Sequence, residues 1–318
     1  MNEVTRFIPS HPLNTAVLFL VFNRLEKTKK VFESIQQAKP PRLYIAADGA
    51  REHKEDEAEK VEAVRKYIVE NINWKCEVKT LFRDQNLGCK YAVSEALNWF
   101  FESEEMGIVL EDDTLPSYSF FWYCEKLLKK YKDDLRVWHI SGNNFHFGWK
   151  RDETHSYYFG GIYGSIWGWA TWRSRWKHYD VEMKNYNETD HKDYLENCYD
   201  GSDAVKRKII DFNLIKKGLD TWDFQWVYTR WINNGLTIVP NVNLVKNLGF
   251  DNDATHTHSK YDKRADMHYF DIKFPLRHPS SVSRDHISEK NFFDDFVKPS
   301  FLSKIKYTVK KILGVLDG

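Results

Sequence analysis

The stretch Gly107-Ile108-Val109-Leu110-Glu111-Asp112-Asp113 runs a small apolar segment straight into three carboxylates. A short apolar run bounded by polar residues reads as a buried strand. Three adjacent carboxylates repel one another, which is a poor choice for stability alone. A hard divalent cation with oxygen ligands removes that cost. Such an ion also neutralises charge on a leaving phosphate. A solvated acidic turn is the competing use of the same triplet. What else in the chain ends at the same level decides between the two.

Toward the N-terminus, strand and helix signals alternate. Ala16 to Asn23 (AVLFLVFN) reads as a buried strand, and Lys27 to Gln37 puts Val31, Phe32 and Ile35 on one helical face. Arg42 to Asp48 (RLYIAAD) is a second strand ending in Asp-Gly turn chemistry. Val61, Val64, Tyr67 and Ile68 form a helical stripe, and Lys75 to Phe82 is a third strand. Val93, Ala96, Leu97 and Phe100 mark the helix before the fourth strand, Gly107 to Leu110. Such alternation predicts a mainly parallel, twisted α/β sheet with helices on both faces. Ligands of these sheets bind outside the carboxyl ends of the strands. Asn23-Arg24, Asp48, Arg83 and Asp112-Asp113 all fall at those ends, which favours a site over a solvated turn.

The second half is less regular. Val137 to Ser141 and Leu236 to Pro240 read as strands; Trp172 to Tyr179, Ala204 to Lys217 and Asp223 to Asn233 read as helices. No linker or repeat divides the chain. The reading is one domain over residues 1–298, with a nucleotide half at about 16–150 and an acceptor half at about 151–298. Residues 299–318 close the chain as a basic amphipathic helix. In it Phe301, Leu302, Ile305, Val309, Ile312, Leu313 and Leu316 share a face, with Lys304, Lys306, Lys310 and Lys311 around the rest. Such a helix either docks on its own domain or lies on an anionic inner membrane leaflet.

Composition excludes several classes. With 42% hydrophobic and 29% charged residues, the chain can bury a core and is not disordered. Its 47 basic and 46 acidic residues leave a net charge of +1, which gives no global attraction to nucleic acid. Any anion site must therefore be local. The 12 Trp and 17 Tyr suit either sugar stacking or core filling. Cys76, Cys89, Cys124 and Cys198 lack zinc spacing and read as reduced thiols of a cytoplasmic protein. The apolar run Ala16 to Phe22 is too short to span a bilayer.

Arg83-Asp84-Gln85-Asn86-Leu87-Gly88-Cys89-Lys90, a helix, GIVLEDD and Pro116-Ser117 resemble the GT-A nucleotide-sugar glycosyltransferases. The likeness is closest to the N-acetylglucosaminyltransferase family of the N-glycan core and its bacterial surface-polysaccharide relatives. That family's first strand ends in Asp-Arg, and here Asn23-Arg24 alters the acidic member. Its second strand ends in Asp, matched by Asp48, and its Glu-Asp-Asp is matched by Glu111, Asp112 and Asp113. Gly168-Trp169-Ala170-Thr171-Trp172 resembles a family Gly-Trp segment. Trp222-Asp223 resembles the Trp-Asp that carries its catalytic base. Thr255-His256-Thr257 is the match to a late family histidine. The likeness spans about Ala16 to about His258.

The resemblance implies a GT-A fold and sugar transfer from a nucleotide diphosphate donor, with UDP-sugar the expected one, to a glycan or lipid-linked glycan. It also implies Mn²⁺ or Mg²⁺, and inversion at the anomeric carbon. Phe22, Arg24 and Asp48 then hold uridine and ribose. Arg83 and Lys90 sit near the diphosphate or donor sugar. Asp112 contacts ribose or donor hydroxyls beside Glu111, Asp113 binds the metal, and His256 approaches metal or diphosphate. Asp223 is the base, with Asp220 as its neighbour and competitor.

Residue chemistry supports several of these roles. Arg binds phosphate bidentately, and Lys90 opens a helix, where backbone N–H groups favour anions. Asp223 stands between Trp222 and Phe224, surroundings that raise a carboxyl toward a base's working range. An N-cap is its other use. Tyr163 to Trp172, with Trp167 and Trp169, reads as an acceptor-stacking floor or as an aromatic core layer. Two rival functions are weighed. A sugar nucleotidyltransferase would carry a Gly-rich loop after the first strand, which Asn23-Arg24-Leu25-Glu26 lacks. A glycan-binding protein would not need the acidic strand end.

Overall fold

The computed structural model describes residues 7–150, 153–161, 164–188, 190, 202–250, 264 and 267–294. Among these residues ten strands and eight helices follow in chain order. They are β1 (Ala16–Val21), α1 (Leu25–Ala38), β2 (Arg42–Ala47), α2 (Glu57–Asn71), β3 (Glu77–Phe82) and α3 (Gly88–Ser103). Then come β4 (Met106–Glu111), β5 (Thr114–Pro116), α4 (Phe120–Lys130), β6 (Val137–Ser141), β7 (Tyr157–Gly160) and β8 (Trp169–Trp172). The rest are α5 (Arg173–Trp176), α6 (Ser202–Lys216), α7 (Asp223–Ile232), β9 (Leu236–Pro240), β10 (Val245–Asn247) and α8 (His286–Phe292).

The main sheet has eight strands in the order β3-β2-β1-β4-β8-β6-β9-β7. Its first four strands pair in parallel, as does β6 with β9. The joints β4–β8, β8–β6 and β9–β7 are antiparallel. This is the expected GT-A-type arrangement, a Rossmann-like parallel half continued by a mixed half. The sequence reading did not separate β7 and β8 as strands. Both have four residues, and β8 is a Trp-rich run whose pleat is imposed by its neighbours β4 and β6. The helix read over Trp172 to Tyr179 shrinks to α5, because Trp172 is the last residue of β8.

Alternation along β1 shows why both faces need helices. Val17, Phe19 and Val21 pack with Val31, Phe32 and Ile35 of α1 and Val64 and Ile68 of α2. Ala16, Leu18 and Leu20 pack on the opposite side with Ala96, Leu97 and Phe100 of α3 and with Trp226 of α7. A strand covered on both faces loses its polar positions, and all six residues of β1 are buried. Complete burial of such side chains is worth about 1.5–3 kcal/mol each. A small antiparallel pair, β5–β10, lies beside the end of β4. Residues 299–318, read as a basic amphipathic helix, lie outside the described residues. Among the described residues no helix is long and apolar enough to cross a membrane.

Candidate active site

Register brings the polar strand ends together. Val21 of β1 pairs with Ala47 of β2, Ala47 with Phe82 of β3, and Leu20 with Glu111 of β4. Phe22-Asn23-Arg24, Asp48, Arg83 and Asp112-Asp113 therefore leave the sheet along one edge. They wall a cavity of about 1540 Å³, which Trp167, Asp220 to Phe224 and Asn247 to Gly249 also line.

The acidic turn is held by its own neighbours. Thr114 Oγ1 accepts from the Glu111 N–H at 2.9 Å and donates to the Glu111 carbonyl at 3.0 Å. Leu248 N–H donates to the Asp113 carbonyl at 2.7 Å, which ties the turn to the end of β10. Gly249 passes so close that a Cβ there would stand 2.5 Å from Asp113 Oδ2. Arg24 faces both aspartates. Its Nε donates to Asp112 Oδ2 at 3.2 Å, its Nη2 to Asp112 Oδ1, and its Nη1 to Asp113 Oδ2 at 3.0 Å. Asp112 is 3% exposed, so this pair is shielded from water. Burial opposes the Arg24 charge, but Asp112 and Asp113 outweigh it and raise its pKa. Arg24, expected beside the uridine and ribose, thus neutralises the acidic pair in this structure.

Burial pushes the Glu111 carboxyl well above the usual range, and Asp113 and Asp112 push it further. Its Oε1 is buried with no hydrogen-bond partner among the described residues. Asp113 is also raised, by burial first, against the pull of Arg24. An added cation would relieve all three effects. Among the described residues no three His, Cys, Asp or Glu side chains form a metal cage. A small hard cation needs only one or two carboxylates when substrate phosphates complete its shell. Asp113 on the cavity wall fits that requirement. His256, the expected second metal contact, lies outside the described residues.

The carboxylates around α3 have a different occupation. Asp48 accepts from Leu87 N–H at 3.0 Å and Gly88 N–H at 3.1 Å. Asp220 accepts from Cys89 N–H at 3.0 Å and Lys90 N–H at 2.7 Å. Burial raises the Asp48 carboxyl, and these N–H groups hold the rise back. Asp220, the rival for the base, is thus committed to a helix start. Asp223 is differently placed: Thr221 Oγ1 donates to its Oδ1 at 2.5 Å, and it faces the cavity. Its Oδ2 takes no hydrogen bond from the described residues.

Phe22 lines the cavity, with the Arg51 guanidinium 5.6 Å from its ring centre. Arg51 is itself held by Glu57, whose Oε2 accepts from Nε at 2.9 Å. Asn23 Nδ2 donates to the same carboxylate at 2.9 Å. Arg83 lines the cavity and donates to Glu95 at 3.0 Å, while its Nη1 is buried without a partner among the described residues. Lys90 does not join this group. Its Nζ pairs with Glu182 at 2.9 Å, and it is not among the cavity residues.

The two tryptophans expected in an acceptor floor separate. Trp167 lines the cavity, edge-on to Phe145 at 5.2 Å and to Phe250 at 5.6 Å, with Arg264 5.7 Å from its ring centre. Trp169 is a correction to the expectation. It is fully buried on β8, stacked on Trp222 at 5.6 Å and on His139 at 5.1 Å. An interior strand position leaves it no face for a ligand. His139 accepts from Trp226 Nε1 at 3.2 Å, and burial keeps it neutral by lowering its pKa. Sequence reasoning missed Gly249, Arg264 and the capping role of Asp220. No local pattern signals them, because their partners are far away in the chain.

No known family profile matches the chain, and no curated protein matches it. Solved structures resemble it distantly. One is HddC from Yersinia pseudotuberculosis, at 11% identity and a TM-score of 0.32, covering 52% of this chain and 80% of that one. HddC complexed with GMP-PN gives 10% identity and a TM-score of 0.31, covering 51% and 78%. Another is S. aureus TarS 1-349, at 11% identity and a TM-score of 0.41. That match covers 73% of this chain, which spans 59% of the TarS chain.

Proposed function

We propose that this chain is a glycosyltransferase that moves a sugar from a nucleoside diphosphate, a UDP-sugar, to a hydroxyl of a glycan or lipid-linked glycan. The observation that carries the reading is the edge of the sheet itself. Arg24 meets Asp112 and Asp113 beside Glu111 on the cavity wall, and Asp223 lines the same cavity. A donor diphosphate needs positive charge and a cation near the first group. An acceptor hydroxyl needs a carboxylate with an open oxygen at the second. Mn²⁺ or Mg²⁺, held by Asp113, supplies charge neutralisation on the diphosphate when bound.

The chain's own residues perform the remaining work. Arg83 lines the cavity and keeps one guanidinium N–H group buried without a partner among the described residues, a group that a phosphate or donor hydroxyl would satisfy. Phe22 and Arg51 provide a flat ring and a flat cation for the base, and Trp167 provides a face for the acceptor sugar. Asp223 Oδ2 takes the proton of the acceptor hydroxyl while Thr221 holds Oδ1. The acceptor oxygen bonds to the anomeric carbon as the bond from that carbon to the β-phosphate oxygen breaks, and the nucleoside diphosphate leaves. Attack opposite the leaving group inverts the anomeric centre.

The test is hydrolysis of a panel of nucleotide sugars with and without Mn²⁺, which requires no acceptor. We expect metal-dependent UDP release from one donor, abolished in Asp113→Ala. Asp223→Asn should bind UDP and Mn²⁺ normally while transfer falls about 10²–10⁴-fold, the usual worth of a general base. No turnover of any donor, with no metal-dependent UDP binding, refutes the reading. A product that keeps the donor's anomeric configuration refutes inversion.

A further inference from the structure

The start of α3 is capped in an unusual way. A helix leaves its first four backbone N–H groups without intrahelical partners. The N-cap residue here is Leu87, which has no side chain able to accept them. Two carboxylates from distant segments divide the work. Asp48, at the end of β2, takes Leu87 and Gly88; Asp220, just before α7, takes Cys89 and Lys90. The positive helix end is thereby neutralised from inside the protein, so it is not where a substrate phosphate is held.

Asp220 is three residues before Asp223, and the segment between them is fixed at every step. The Trp222 carbonyl accepts from Tyr179 OH at 2.9 Å, and the Thr221 carbonyl accepts from Gln225 Nε2 at 2.7 Å. Thr221 Oγ1 holds Asp223. Gly88 makes the anchor sterically possible. Its φ is +78°, and a Cβ there would lie 2.8 Å from Asp220 Oδ2 and 3.1 Å from Oδ1. A methyl group at that position therefore dislodges the carboxylate as well as straining the backbone.

We propose that Asp220 is a positioning residue, which locks the segment leading into Asp223, the first residue of α7, onto the start of α3 and so sets the distance between base and donor. The proposal rests on the reading of Asp223 as the base. Both Asp220 carboxylate oxygens are taken by backbone N–H groups of α3, so in the proposal it acts through the segment that leads to Asp223. A misplacement of about 1 Å can cost about 100-fold in rate. Loss of the anchor should therefore appear in kcat and not in donor binding.

The experiment compares wild type, Asp220→Ala, Asp220→Asn, Gly88→Ala and the Asp220→Ala/Gly88→Ala double variant. Each is assayed for transfer or donor hydrolysis, for UDP binding with Mn²⁺ by calorimetry, and for melting temperature. We expect kcat to fall about 10–100-fold in Asp220→Ala and in Gly88→Ala, with donor KM and UDP affinity within about twofold of wild type. The double variant should be no slower than the slower single, because both changes break one contact. Asp220→Asn keeps an acceptor oxygen and should recover part of the rate. A folded Asp220→Ala with wild-type kcat overturns the proposal. So does a parallel fall of kcat and UDP affinity that tracks the melting temperature. If Asp220→Ala does not fold, Gly88→Ala decides by the same criteria. Should Asp223→Asn keep full turnover, the base assignment and the proposal both fall. Should only Asp223→Asn be inactive, the positioning role falls alone.

Discussion

Replacing Arg24 with methionine removes the guanidinium shared by Asp112 and Asp113 and keeps most of the side-chain volume. The Arg24 side chain is 20% exposed, Asp112 4% and Asp113 14%, so the three charges meet largely out of water. Removing one partner of such a buried pair leaves uncompensated charge and costs about 3–5 kcal/mol. Unfolding entropy scales with chain length, here 318 residues, so that loss corresponds to a melting point lower by about 4–8 °C. The assay is thermal unfolding of wild type and Arg24→Met, with and without millimolar MnCl₂. Mn²⁺ should recover part of the loss and should stabilise Arg24→Met more than wild type, because it enters a site that has lost its internal cation. Two results refute the reasoning. Arg24→Met melting with wild type would mean that the pair is effectively solvated. An equal Mn²⁺ response in both proteins would mean that the ion does not bind at this carboxylate pair.

Three further outcomes are expected. Trp169→Ala should cost about 3–5 kcal/mol in a denaturation experiment, as a large core truncation does, whereas truncating the half-buried Trp167 to alanine should cost less and should raise the acceptor KM. The raised carboxyls of Glu111 and Asp113 give a pH signature. A carboxyl raised in the folded state contributes stability that is fully present below its unfolded value, about 4.3 for a glutamate, and is lost as pH rises through its higher folded one. Mn²⁺ opposes that loss, so its thermal shift should be larger at about pH 7.5 than at about pH 5.5, and a larger shift at the lower pH would contradict the site. The full chain should sediment with anionic lipid vesicles and the chain truncated after Pro299 should not; equal sedimentation of the two would refute attachment through the basic segment.

The sequence alone determined the parallel half of the sheet and the level at which its polar residues emerge. AVLFLVFN, RLYIAAD and GIVLEDD each carry their strand signal locally, and the helical stripes between them fix the crossovers. Once those strands pair in parallel, Arg24, Asp48, Arg83 and Asp113 must share an edge. The mixed half was less legible, because β7 and β8 are four-residue strands whose pairing partners define them.

Tertiary structure decided what each polar residue does at that edge. Arg24 turns to Asp112 and Asp113 across 88 and 89 positions of chain, and Asp220 meets Cys89 across 131. No periodicity encodes such a meeting. It follows from which loop the fold brings to the start of α3. Asp48, Asp220 and Asp223 share a residue type and all line the cavity, yet backbone N–H groups claim the first two. The third takes only the Thr221 hydroxyl, on Oδ1, among the described residues. Trp167 and Trp169 differ by two positions, and the sheet buries one while the cavity receives the other. Residue type sets what a side chain can do, and burial and hydrogen-bond partners, which exist only in the folded chain, select among those uses.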